Sequence, residues 1–237
     1  IKYNFWEPLT VTSIWPKVGG SLLANTVVSV FGTGFKKELM MSCKFGGTVV
    51  PAKTLDDSGT TAICASPPHM PGLVSFELLR DGFNGNEEVA RGNHQFLYVR
   101  DPSVRKLVPS EGKVDGTNPV FVMGTNFLNT TALSCRFGHS RSRATMISPN
   151  VLVCIAPPVD SPKDVEVTVS INGIDYGGGG VTYGYKEDCK IGHYCGPSAG
   201  DWNLPAPNGT HVPTVGALNF TLCNPGYFSP RQGMSSC

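Results

Sequence analysis

Charge is scarce in this chain. Asp, Glu, Lys and Arg make up 16% of 237 residues, and 19 basic against 18 acidic side chains leave a net +1. No basic run and no acidic tail occurs, so nothing points to a nucleic-acid backbone or an anionic lipid surface. The local pairs Lys36–Lys37 and Arg141/Arg143 read as solvated loop charges. No apolar run reaches the ~18 residues of a membrane span, and no leader peptide is recognisable. Helical periodicity of useful length is missing throughout. Catalytic signatures are missing too. There is no H-E-x-x-H, no G-x-S-x-G, no P-loop and no dinucleotide fingerprint. The five histidines, at 69, 94, 139, 193 and 211, make no metal-ligand spacing. These absences leave no catalytic constellation, no metal and no cofactor to expect.

Glycine (28) and proline (19), by contrast, are abundant, and 40% of residues are hydrophobic. That mixture predicts many short strands and turns. The chain also repeats itself. G-T-G-F at Gly32–Phe35 is followed by S-C-K-F-G ending at Gly46. G-T-N-F at Gly124–Phe127 is followed by S-C-R-F-G ending at Gly138. A repeat at domain length fixes the architecture before any local reading.

The first repeat reads as follows. Ile14-Trp15-Pro16 opens it, Gly19-Gly20 is expected to turn, and Thr26–Phe31 is an apolar strand. Met41, Cys43 and Phe45 alternate along the next strand, and Cys64 leads into Pro67-Pro68, where a ladder must stop. Val74, Phe76 and Leu78 alternate with Ser75 and Glu77, Asp81-Gly82 supplies a turn, and Gln95–Val99 closes the unit. The second repeat has Pro109 for Pro16, Val120 and Val122 for Val28 and Val30, and Cys154 for Cys64. Val165, Val167, Val169 and Ile171 against Glu166, Thr168 and Ser170 predict a half-buried strand. Asn172-Gly173 predicts a hairpin, and Gly177–Gly180 a flexible loop rather than a phosphate cradle, since no helix follows it. Two tandem β-sandwiches result, all-β, with a small disulfide-rich loop module behind them. The domains are 8–99, 100–186 and a cysteine-rich 187–237, incomplete at its C-terminus; residues 1–7 read as the last strand of a preceding repeat.

The eight cysteines are Cys43, Cys64, Cys135, Cys154, Cys189, Cys195, Cys223 and Cys237. An even count at matched positions implies disulfides and an oxidising compartment. The rival reading, metal binding, would need C-x-x-C pairs or nearby histidines. Each repeat carries two cysteines on different predicted strands, hence one bridge per repeat, Cys43–Cys64 and Cys135–Cys154. Sequons at Asn129, Asn208 and Asn219 add N-glycosylation and agree with a secreted protein. Asp56-Asp57 reads as a solvated loop rather than a calcium site. Among the tryptophans, Trp6 and Trp15 flank the domain junction and are expected to pack there. Trp202, in a polar insert, is the candidate partner contact.

These features together resemble the IPT/TIG domain, known from plexins and transcription factors. The carrying motifs are the early Pro, V-x-V-x-G-x-x-F, C-x-F-G, Cys before Pro-Pro, alternating valines ending in N-G, and a final aromatic-x-Tyr. The resemblance covers roughly 8–186, with departures at Asp81-Gly82 and a longer loop at Phe83–Asn93 in the first repeat. It implies an immunoglobulin-like fold of the extracellular type, because the basic loops of the transcription-factor type are missing. The tail resembles ephrin-receptor-like cysteine-rich modules, in C-N-P-G-Y-F at Cys223–Phe228 and G-M-S-S-C ending at Cys237. That resemblance implies Cys223–Cys237 and leaves Cys189 with Cys195. Four cysteines admit three pairings, and partners beyond residue 237 stay open. The expected role is a rigid spacer or assembly module of a large secreted or cell-surface glycoprotein, in adhesion or a flagellar-hair-like extracellular filament. The alternatives are the stalk of a plexin-like receptor and a carbohydrate-binding accessory domain of an enzyme. Expected partners are other modules or copies of the chain, with glycans as a further class, and neither nucleic acid nor membrane contact in this segment.

Overall fold

A computed structural model of the chain describes residues 7–21, 25–36, 39–54, 58–81, 87–196 and 203–237. Contacts divide the chain into two compact units. One holds the chain through Asp101 with Thr130–Ala132 and Ser170–Tyr176; the other holds Pro102–Asn129, Leu133–Val169 and Gly177–Cys237. Every regular element among the described residues is a strand.

The first repeat contains β1 (Thr10–Trp15), β2 (Val18–Gly20), β3 (Val27–Thr33), β4 (Met41–Phe45), β5 (Thr48–Pro51), β6 (Lys53–Thr54), β7 (Thr61–Ala65), β8 (Gly72–Asp81), β9 (Glu87–Val89) and β10 (His94–Val99). They form a sheet ordered β1-β3-β7-β6 and another ordered β2-β10-β8-β4-β5, with β9 on β8. The alternation of Met41, Cys43 and Phe45 turns all three inward, where the Phe45 ring meets Phe76 and Phe96 edge-on at 5.0 and 5.3 Å. Edge-to-face pairs of this kind satisfy the ring quadrupole.

The second repeat contains β11 (Ser103–Val108), β12 (Glu111–Lys113), β13 (Pro119–Thr125), β14 (Ser134–Phe137), β15 (Ser140–Ser148), β16 (Val151–Ile155), β17 (Lys163–Ser170) and β18 (Thr182–Lys186). Here one continuous sheet runs β11-β13-β16-β15-β14-β17-β18-β12. The strand β15 makes it continuous. Ser140–Arg143 pairs with β14, and Ala144–Ser148 pairs with β16. In the first repeat the same path is split into β5 and β6 next to Pro51, a residue with no N–H to donate. The switching residue nonetheless behaves alike in both copies: Ala52 N–H donates to Met41 O at 2.8 Å, and Ala144 N–H to Leu133 O at 3.2 Å.

The repeated motifs have repeated structural causes. Gly32 is packed so closely that a Cβ would lie 1.9 Å from Thr10 O and 2.9 Å from Phe35 Cζ. Gly124 would meet Ser103 O at 1.9 Å and Phe127 Cζ at 2.6 Å. Both glycines face the bulge in the opening strand, between Val11 and Ser13 and between Val104 and Lys106. Two residues on, G-T-G-F and G-T-N-F differ, yet Gly34 (φ 79°) and Asn126 (φ 62°) share a left-handed backbone. Glycine and asparagine are the two residues that adopt it most readily.

Some expectations change. Gly19-Gly20 is not a turn: it lies in β2, which pairs parallel with Leu97–Val99 of β10. Glycine is needed there because a Cβ on Gly19 would meet Thr26 Oγ1 at 2.4 Å. The strand β17 is not half-buried along its length. Thr168 and Ser170 are buried as well, and Ser170–Tyr176 belongs to the first compact unit. Asn172-Gly173 does not form a two-residue hairpin. The Asn172 side chain is buried, and its Oδ1 accepts from the Ser170 hydroxyl and from the Ile174 and Asp175 amides. The asparagine thus scaffolds a longer connection to β18. Gly177–Gly180 is tethered rather than a free loop. Gly177 exchanges two 3.0 Å hydrogen bonds with Val169, and Gly180 N–H donates to Glu166 Oε1 at 2.9 Å. Gly82 and Asp56-Asp57 lie outside the described residues.

Candidate functional site

The functional residues expected from sequence are cystines, glycosylation asparagines and one tryptophan. Cys43–Cys64 joins β4 to β7, and Cys135–Cys154 joins β14 to β16. All four of these half-cystines are buried beside the aromatic core. Each closes a loop of about 20 residues, a constraint that stabilises by about 3 kcal/mol through the unfolded chain. In the tail, Cys189 bonds Cys195 and Cys223 bonds Cys237. No free cysteine remains.

Among the described residues of the tail few apolar side chains are buried: Ala206 and Val212, beside the half-cystines Cys189 and Cys195. Backbone hydrogen bonds hold it instead. Two short hairpins, β19 (His193–Tyr194) with β20 (Leu204–Pro205) and β21 (Thr210–His211) with β22 (Thr221–Leu222), are stitched together. Gly192 N–H donates to Val212 O, Val212 N–H to Met234 O, and Gly233 N–H to Ala206 O, at 2.9–3.0 Å. Lys113 Nζ reaches Asp188 Oδ1 at 3.0 Å where the tail begins.

Asn129, Asn208 and Asn219 are all exposed. Trp202 and Trp6 lie outside the described residues, so no structural role is assigned to either. Trp15 is half-exposed at 50%, because its side chain alternates with the inward Ile14 on β1. Sequence reasoning missed the exposed apolar side chains of the tail, among them Leu222 (72%), Tyr227 (68%) and Phe228 (66%). The available signal was C-N-P-G-Y-F, read only as a cysteine-module marker.

One cluster has donor atoms at metal-binding distances. His211, Cys223 and Cys237 hold theirs within 4.8 Å of one another, and His211 Nδ1 is 3.0 Å from Cys237 Sγ. Both sulfurs are committed to one disulfide, and metal coordination needs thiolates, so the oxidised cluster does not fit a cation.

The hydroxyls of Tyr98, Tyr183 and Tyr185 are pushed up to about 12, chiefly by burial, which disfavours the phenolate. Ser66 beside Tyr98 and Asn118 beside Tyr183 offset that shift in part. These groups sit in the two cores and serve packing.

The fold defines a class: tandem immunoglobulin-like sandwiches, each with one bridge between its facing layers. The IPT/TIG domain model matches residues 9–96 and again 102–185, and the chain belongs to that family. No curated protein matches the sequence. Among solved structures, the full extracellular region of plexin A4 (domains 1 to 10) aligns with 77% of this chain at 18% identity and a TM-score of 0.50. The chain spans 16% of that plexin's length, and the likeness shows the fold. A second plexin A4 structure, with domains 1 to 8, aligns with 75% of the chain and 18% of its own at 18% identity and a TM-score of 0.45. The Bacteroides ovatus glycan-binding protein SGBP-B, solved with a mixed-linkage heptasaccharide, aligns with 81% of this chain and 48% of its own at 10% identity and a TM-score of 0.32.

Proposed function

We propose that this chain is a non-catalytic module of a secreted or cell-surface glycoprotein, serving as a spacer and assembly element in adhesion or in an extracellular fibre. The carrying observation is that all eight cysteines are consumed in four local bridges, one in each repeat and two in the tail. Such density of structural cystine belongs to oxidising compartments. Three exposed sequons point the same way. The buried phenols of Tyr98, Tyr183 and Tyr185 serve packing. The tail resembles an ephrin-receptor-like cysteine-rich module in its P-G-Y motif and its Cys223–Cys237 bridge. Partners are other modules or other copies of the chain.

A second reading, the stalk of a plexin-like receptor, is favoured by the plexin A4 likeness in fold.

The test is secretion from a eukaryotic host, followed by intact-mass analysis with and without reduction before alkylation. The expected product carries no alkylatable thiol until reduced and runs heavier by N-glycan mass. Sedimentation across a concentration series then asks whether copies associate. Retention inside the cell with free thiols would sink the extracellular reading. A strictly monomeric secreted product would sink self-assembly and shift weight to the receptor stalk.

A further inference from the structure

Asn208 lies in a turn that the rest of the tail holds from three sides. Pro207 O closes the turn by accepting the Thr210 amide at 3.1 Å and the Thr210 hydroxyl at 2.6 Å. Gly209 follows with φ 77°. Its N–H donates to Ser229 O at 2.9 Å, and its carbonyl accepts the Cys223 amide at 3.0 Å. Asn208 at the tip is therefore exposed on a fixed backbone. The next structural fact is what borders it. Phe228, 66% exposed, places its ring so that a Cβ on Gly209 would touch Cε2 at 3.8 Å. Leu222, 72% exposed, pairs with Thr210 across the hairpin. Both apolar side chains thus stand exposed beside the fixed turn.

We propose that an N-linked glycan on Asn208 seats its first N-acetylglucosamine on the open face of Phe228. This inference rests on the secreted-glycoprotein reading above. One face of that sugar is a row of C–H bonds, and an aromatic face attracts such polarised hydrogens. The tether makes the encounter intramolecular, so the contact carries no cost of association. Because the turn is already fixed, little ordering is needed. Glycine at the middle sequon position leaves the ring uncovered from the asparagine side. The Asn219 sequon differs: its neighbour Phe220 already packs edge-on against Tyr194 at 5.2 Å. The seated sugar covers Phe228 and clamps the turn, stabilising a tail with few buried apolar side chains among its described residues.

The experiment uses the full chain secreted from a eukaryotic host. Peptide mass spectrometry first measures occupancy at Asn129, Asn208 and Asn219. Occupancy at 129 or 219 without 208 overturns the seat and leaves the glycoprotein reading intact; no occupancy anywhere overturns both. Amide hydrogen exchange is then compared among wild type, Asn208→Gln, Phe228→Ala and the double variant. The Gly209 and Cys223 amides should exchange about threefold faster in Asn208→Gln than in wild type. In the Phe228→Ala background, removing the glycan should change them no further, while Phe228→Tyr should keep the wild-type response. Trimming to a single N-acetylglucosamine should preserve the protection. Equal effects of glycan loss with and without the Phe228 ring would overturn the proposal. So would a Phe228→Ala effect that grows with protein concentration and ignores Asn208, which would assign the ring to a second copy.

Discussion

Replacing Gly124 by alanine tests why the repeated G-T-[GN]-F motif begins with glycine. Its backbone has no left-handed φ, so strain at the residue itself is not the issue. The new methyl carbon would lie 1.9 Å from Ser103 O and 2.6 Å from Phe127 Cζ. Carbon atoms do not approach a carbonyl oxygen within 3.0 Å, so β11 must move by about 1 Å. Ser103 pairs with Thr125 and Val104 with Gly124 across that ladder. The move therefore loosens one or two backbone hydrogen bonds, about 1 kcal/mol each. Overpacking against Phe127 adds roughly 1–3 kcal/mol. Gly124→Ala should cost the second repeat about 2–5 kcal/mol and lower its melting temperature by roughly 10–30 °C. Calorimetry reads the shift, and amide exchange assigns it to residues of the second repeat. Gly47→Ala is the internal control: nothing lies within 4 Å of its Cβ position, so its effect should stay within about 0.5 kcal/mol. A Gly124→Ala loss below that same limit would refute the packing account of the motif.

Other consequences follow from the same geometry. Asn126→Val should be less stable than Asn126→Gly by about 1–2 kcal/mol, because a β-branched residue resists the left-handed φ of 62°; urea midpoints of the two variants decide. Replacing Cys135 and Cys154 together by alanine should cost the second repeat about 3 kcal/mol, more than the short Cys189–Cys195 loop costs the tail. Urea titration with segment-resolved exchange separates the two. Tyr98, Tyr183 and Tyr185 have folded values of about 12 against about 10 for an exposed tyrosine. The folded state thus holds their protons longer than the unfolded state, so stability is flat below pH 10 and falls between pH 10 and 12. The slope is up to about 1.4 kcal/mol per pH unit for each ring. Phenolate absorbance at 295 nm should show these rings ionising only as the chain unfolds; early ionisation in the folded state would contradict their burial.

The fold was legible because its devices act locally and occur twice. Alternation of Met41, Cys43 and Phe45, or of Val120 and Val122, reports one buried face, and period two survives any change of neighbours. The cystines were legible for the same reason, since each pair recurs at matching places. What failed to show were contacts that a strand's own pattern cannot encode. Gly19-Gly20 has the composition of a turn, and only its parallel pairing with β10 makes it a strand. Arg80 sits on the inward face of β8, two residues after Leu78. A charged residue at that place reads as the end of the buried face. It is instead buried, donating to Gly34 O at 2.6 Å and pairing with Glu88. Its acceptor belongs to the left-handed glycine of the repeated motif, far away in sequence.

The same distinction governs the candidate sites. A sequon is a three-residue signal, and Asn208 could be named from the chain alone. What stands beside it could not. Phe228 comes to Gly209 because Ser229 O takes the Gly209 amide and Cys223 donates to the Gly209 carbonyl, and those bonds depend on the Cys223–Cys237 bridge closing the tail. Trp202 stands out in the chain as the one tryptophan of a polar insert. The tail's exposed rings went unweighed, because Tyr227 and Phe228 sit inside a motif that already had a structural explanation. A motif residue can serve the fold with its backbone and leave its side chain for something else. Phe228 meets that description, with its backbone neighbours bonded and its ring two-thirds exposed. Phe45 is the opposite case, a motif ring wholly enclosed by Phe76 and Phe96. The contrast gives a physical rule for this chain. Where the repeats agree, side chains point inward and explain stability; where the tail departs from them, exposed rings are the place to look for binding.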